Sequence, residues 1–289
     1  MSSRMSYVAI LVALAGVLGS VNARAQVVPT RHIQDGVYCG GVVTTESPKR
    51  DTYVISGPES EIKNIFSQGN FVFMNKGSAQ GIKVGDEFLA SRPESDEVPV
   101  PWFTGQIGLM KAMGTYYADL GRVKVVSVQG NTSVAEVTLS CDYLQRGDLL
   151  EPFTERPVPT FRSVSTFDPF AAPNGKPKAT VVFTKRFGQI SGAGTILYVN
   201  LGSAQGVKIG DYFRVFRYQS SSREGLYEYA GTAYKLWGFG STPVAYSAAD
   251  LPRDVIGEGI VLRVGPNAAT VMITGSMRAI SAGDYVEAE

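Results

Sequence analysis

The chain has 289 residues, with 27 basic and 26 acidic side chains, one histidine, two cysteines, 32 glycines and 15 prolines. That density of glycine and proline favours a turn-rich β architecture over a helical bundle. A net charge of +1 lacks the electrostatic footprint that holds a phosphate backbone, so nucleic acid is excluded as a partner.

The first 25 residues read as a signal peptide. Arg4 precedes an apolar run from Tyr7 to Leu18, and Ala23-Arg24-Ala25 supplies a small-residue cleavage signal before Gln26. Twelve apolar residues are too few to cross a hydrocarbon layer of roughly 30 Å as a helix. The expected product is periplasmic or secreted, with no membrane span after cleavage. In an oxidising compartment the two cysteines, Cys39 and Cys141, are expected to form a disulfide. Two thiols too far apart to meet is the other reading, because spacing alone does not bring their Cα atoms within reach.

Laid on itself, the chain shows an internal repeat. Residues 71–92, FVFMNKGSAQGIKVGDEFLASR, align without gaps to residues 196–217, ILYVNLGSAQGVKIGDYFRVFR, and 11 of 22 positions are identical. A second block, 121–151, aligns to 257–287 and shares Gly121/Gly257, Asn131/Asn267, Gly147/Gly283, Asp148/Asp284 and Glu151/Glu287. Each copy predicts short apolar strands separated by glycine turns, with a hairpin at Gly130-Asn131 in the first. The expected fold is mostly β: two tandem small antiparallel β-barrel or β-sandwich modules, residues 26–151 and 178–289, joined by a connector at 152–177 that holds six prolines. Residues 26–158 carry 12 basic and 16 acidic groups, and 159–289 carry 13 and 10, so the halves differ in sign.

The shared residues read as a turn motif: Asn75, Gly77, Gly81, Gly85 and Asp86 in the first copy, and Asn200, Gly202, Gly206, Gly210 and Asp211 in the second. An aspartate after glycine accepts backbone N–H groups in a turn, and that reading outweighs a catalytic carboxylate beside Lys83 or Lys208. Gly188–Gly194 has a faint look of a phosphate loop, but it lacks the Lys-Ser/Thr ending and a strand follows it where a helix should. No catalytic, cofactor-binding or metal-ligating set is expected, since neither H-E-x-x-H nor D-x-D-x-D-G spacing occurs.

The N-x-G-S-A-Q-G-[IV]-K-[VI]-G-D-x-F stretch and the closing G-D-x-[LV]-E resemble the C-terminal domain of flagellar assembly protein T and related modules of exported bacterial envelope proteins. The resemblance implies a periplasmic, non-enzymatic part of the ring around the flagellar motor. This chain carries two such modules and no counterpart of that family's other domains.

Between the aligned blocks the first copy has 28 residues and the second 39. These segments differ and are rich in aromatics, so Trp102, Phe103, Tyr227, Tyr229, Tyr234, Trp237 and Phe239 are the candidate partner-binding residues. Capping of the barrel ends is the competing use of the same rings. The expected function is a non-catalytic cell-envelope scaffold or assembly protein, binding envelope proteins or itself. Binding to peptidoglycan or another glycan is the alternative.

Overall fold

A computed structural model describes residues 36–96, 98–162, 167–218 and 252–289, together with the backbone pairing of 26–27, 234–236 and 239–242. The proposed signal peptide and the insertion residues Tyr227, Tyr229 and Trp237 lie outside the described residues. Tyr234 and Phe239 fall in two paired strands, β13 (Tyr234–Leu236) and β14 (Phe239–Thr242).

The first half contributes β2 (Val42–Thr44), β3 (Val54–Ser56), β4 (Phe71–Met74), β5 (Glu87–Glu94), α1 (Gln106–Met113), β6 (Thr115–Val128), β7 (Ser133–Ser140) and β8 (Leu149–Pro152). The second contributes β9 (Lys178–Thr184), β10 (Ile190–Ser191), β11 (Ile196–Val199), β12 (Tyr212–Arg217), β15 (Asp254–Val264), β16 (Ala269–Ser276), β17 (Ile280–Ser281) and β18 (Tyr285–Ala288). A two-residue strand, β1 (Gln26–Val27), precedes them.

Each half closes an antiparallel barrel. In the first, the order β3-β4-β7-β6-β5-β8 returns to β3 through Val54 N to Asp148 O, 2.9 Å, and Leu150 N to Thr52 O, 2.9 Å. In the second, β9-β11-β16-β15-β12-β18 returns to β9 with Thr180 opposite Tyr285. The two paths match strand for strand, and closure leaves no free sheet edge along either ring. The expected turn between β6 and β7 is present, with Gln129 N donating to Thr132 O at 2.8 Å.

Alternation decides which side chains fill the barrels. Val72, Met74, Val123, Val125, Ala135 and Val137 are buried in the first barrel, with Phe88 and Ala90. Leu197, Val199, Phe213, Val215, Val271 and Ile273 form the core of the second. Strands β11, β15 and β16 of the second barrel are buried on both faces, because Ile196, Tyr198, Ile260, Leu262 and Met272 point outward and join a cluster shared with the first half.

The cover on that outer face is an N-terminal strap. β1 pairs with β16 of the second barrel, residues 36–41 cross the junction, and β2 pairs with β6 of the first. Residues 36–39 form a helical turn there, and a Cβ on Gly36 would lie 2.2 Å from the Met272 methyl. Cys39 is bridged to Cys141 at the end of β7, their Cα atoms 5.3 Å apart, which pins the strap to the first barrel. Among the described residues no helix is long and apolar enough to cross a membrane.

The connector follows the surface, tied by its arginines. Arg156 forms a two-point contact with Asp119, at 2.9 and 3.0 Å, and Arg162 binds Glu258 at 2.6 Å and also Glu289.

Candidate functional site

The recurring turn is built the same way twice. Asn75 Oδ1 accepts Tyr53 N at 2.8 Å, and Asn200 Oδ1 accepts Thr180 N at 2.7 Å, tying each turn to the neighbouring strand. Gln80 Oε1 takes Gly77 N at 2.9 Å, and Gln205 Oε1 takes Gly202 N at 2.8 Å. The turns dock on the hairpins through Ser78 N to Gln129 O, 2.8 Å, and Ser203 N to Gly265 O, 3.0 Å. Gly81 and Gly206 both have φ of +85°, a left-handed conformation that glycine adopts without steric cost. Gly85 N and Gly210 N then start the next ladder, donating to Val125 O and Val261 O at 2.8 and 2.9 Å.

Asp86 Oδ2 accepts Lys83 N, and Asp211 Oδ2 accepts Lys208 N, each at 2.8 Å. The two carboxylates thus each hold a turn, one in each barrel.

A second repeated device escaped the sequence reading. Arg92 grips Asp148 through two parallel bonds of 2.7 and 2.8 Å, and Arg217 grips Asp284 with the same two distances. Each aspartate also accepts a backbone N–H, from Gln145 at 2.6 Å and from Ser281 at 2.7 Å. Such forked, charge-assisted contacts fix orientation as well as strength. The signal was present: Arg92/Arg217 ends the first aligned block and Asp148/Asp284 lies in the second.

A buried carboxylate with several partners sits where the barrels meet. Asp119 on β6 accepts Gly41 N at 2.8 Å, Arg156 at 2.9 and 3.0 Å, and Arg263 of β15 at 3.2 and 3.3 Å. Burial pulls the Arg263 guanidinium below its ordinary pKa, while Asp119 opposes the shift. This cluster lines a cavity of about 290 Å³ with Glu46, Tyr117 and Glu151. Deeper in the same junction the Tyr198 hydroxyl donates to Gly40 O at 2.6 Å and lies 3.0 Å from the Tyr116 hydroxyl. Burial raises Tyr116 to about 12 and Tyr198 well above the usual phenol.

The predicted partner-binding aromatics of the first insertion face inward to the second barrel. Trp102 Nε1 donates to Ala282 O at 3.0 Å, and the Phe103 ring lies 3.6 Å from where a Gly283 Cβ would be. Gln106 completes the contact: its Oε1 takes Val100 N at 2.7 Å and its Nε2 donates to Val182 O at 2.8 Å. The loop that resembled a phosphate loop lines a cavity of about 460 Å³ with Lys185, Arg186 and Cys39, and it runs into strand β11.

Among the described residues no group of three or more His, Cys, Asp or Glu is arranged to hold a metal ion. The barrel junction, where Asp119 gathers Gly41, Arg156 and Arg263, is the candidate functional element, a clamp between two similar barrels. No family model and no curated protein matches the chain.

Proposed function

We propose that this chain is a non-catalytic scaffold or assembly protein of the bacterial cell envelope. The observation that carries the reading is the use made of its recurring polar residues. Asn75/Asn200, Gln80/Gln205, Asp86/Asp211 and the two Arg–Asp forks are all engaged within turns or between strands. A rigid pair of barrels with its repeated side chains engaged in this way suits presentation of surfaces better than turnover of a substrate.

The Cys39–Cys141 bridge supports an oxidising compartment, and the export signal read in residues 1–25 points the same way. The likeness of residues 71–92 to flagellar assembly protein T makes components of the motor's envelope ring one class of partner to look for.

Affinity capture of the exported protein from the envelope of its native host tests the reading, with a reproducible protein partner in fixed proportion as the expected result. Recovery of the protein solely from the cytoplasm would overturn it, as would a hydrolase activity lost in Asp86→Ala or Asp211→Ala. Co-sedimentation with purified peptidoglycan that disappears in Trp237→Ala would replace it with glycan binding.

A further inference from the structure

The outer face of β11, β16 and β15 is covered within the chain, whereas among the described residues nothing covers the matching face of the first barrel. Under the sequence alignment Ile196, Tyr198, Leu262 and Thr270 correspond to Phe71, Phe73, Val126 and Val134. The first set is buried beneath the strap, where the Tyr198 hydroxyl donates to Gly40 O at 2.6 Å and Thr270 Oγ1 donates to Gly41 O at 3.0 Å. Of the second set, Phe71 is 42% exposed, Val126 is 41% exposed, and Phe73 and Val134 are half-buried. Lys124 and Glu136 stand opposite each other among them and give the face a polar component.

The covering element has a counterpart as well. In the first barrel β2 runs along the start of β6, with Val42 opposite Tyr117 and Val43 opposite Tyr116, and from there it reaches the second barrel. In the second barrel the connector runs along the start of β15. Val255 N donates to Pro169 O at 2.7 Å, and Arg253 holds Ala171 O and Ala172 O, each at 2.9 Å. Phe170, at the middle of that segment, is 65% exposed. One half of the chain thus shows a docking edge in use against a face, while the other half keeps the equivalent edge and the first barrel keeps the equivalent face, both open among the described residues.

We infer that the occupant of the bare face is a second copy of this chain, whose 169–172 edge packs Phe170 against Phe71, Phe73, Val126 and Val134. The contact repeats between chains the arrangement already present between the barrels. Charge favours the same pairing: residues 26–158 carry a net −4 and residues 159–289 a net +3, so the second barrel of one copy meets the first barrel of the next with opposite sign. Edge and face differ, so the association is head-to-tail and propagates into a ring or a filament. The inference names one partner for the scaffold proposed above and rests on that reading only for the use the assembly serves.

Sedimentation of the oxidised chain from Gln26 onward, across a dilution series, tests it. The unaltered protein is expected to grow past the dimer with concentration and to shrink with added salt. Phe71→Asp and Phe170→Asp should each weaken association by about tenfold or more, the scale of a lost apolar contact of 1.4 kcal/mol or more. Mixed together, they should form one-to-one dimers that grow no further, because each supplies the surface the other has lost. Ile190→Asp, at a residue 65% exposed elsewhere on the second barrel, should change nothing. Val126→Glu replaces Phe71→Asp if the latter lowers the melting temperature. A protein monomeric at every concentration, a plateau at the dimer, or folded variants that fail to complement would each overturn self-assembly. A monomer that still captures a fixed envelope partner would leave the scaffold reading standing.

Discussion

Two glycines four residues apart in the recurring turn should respond very differently to a methyl group. Gly77 has φ of −138° and ψ of −153°, an extended conformation that any residue adopts, so alanine meets no torsional penalty there. Its built Cβ, however, falls 2.2 Å from Gln129 O and 2.7 Å from Thr132 N and O, all backbone atoms. The turn has to lift from the hairpin, which strains the contacts Ser78 N to Gln129 O and Ala79 N to Gly130 O. Overpacking of about 1–3 kcal/mol, added to two weakened hydrogen bonds of about 0.5–1.5 kcal/mol each, places Gly77→Ala near 3 kcal/mol or somewhat above. Gly81 is the reverse case: its φ is +85° and nothing lies within 4 Å of a built Cβ, so Gly81→Ala should cost only the left-handed strain of about 1–2 kcal/mol. The second barrel repeats the contrast, since a Gly202 Cβ would lie 2.4 Å from Gly265 O while Gly206 has open space. Urea unfolding of the four single variants, followed by far-UV circular dichroism, measures the difference. If Gly81→Ala destabilises as much as Gly77→Ala, or if the order differs between barrels, the turn-on-hairpin contact is not what the glycine serves.

Three further outcomes follow from the junction and the strap. Replacing both cysteines by serine opens a loop of 102 residues and should cost about 4–5 kcal/mol on chain-entropy grounds, visible as a lower melting temperature that reducing agent no longer changes. Asp119→Ala leaves Arg156 and Arg263 without their shared carboxylate and should destabilise by about 3–5 kcal/mol, with proteolysis in the connector as a second readout. Tyr116, raised to about 12, and Tyr198, raised well above the usual phenol by burial, keep their protons in the folded chain at pH values where unfolded phenols ionise. The stabilisation is therefore complete below about pH 10 and is lost as pH rises toward 12, because the folded chain holds protons that the unfolded chain releases. Tyr198→Phe should make the alkaline loss of stability shallower in denaturation followed at the tyrosinate absorbance, and an unchanged pH dependence would refute the assignment.

The barrels were legible in the sequence because their instructions are local. Glycine, asparagine and aspartate at fixed spacing specify turns, and alternating valines specify strands with one buried face. The helix α1 was not anticipated: Gln106–Met113 carries no capping side chain and has a glycine on either side. The Arg–Asp forks were hidden by distance, since Arg92 and Asp148 are brought together only when β5 pairs with β8. The docking of the barrels left a fainter trace. Tyr198 stands where the first copy has Phe73, and its extra hydroxyl is the atom that holds the strap, but a Phe–Tyr exchange between repeats says nothing by itself about a neighbour. Trp102 and Phe103 show the same limit: composition marks them as adhesive, and only the fold reveals that the surface they meet belongs to their own chain.

The strap also sets an order of events in time. Gln26 pairs with Ser276, so the earliest strand among the described residues is completed by one of the last to be synthesised. Until β16 exists, residues 36–44 have no second barrel to lie on, and until they arrive the outward Ile196, Leu262 and Met272 stay wet. Such distant pairing slows closure and leaves a sticky intermediate, so newly emerged chains should be most vulnerable to aggregation or to a protease in the interval just before the two ends meet.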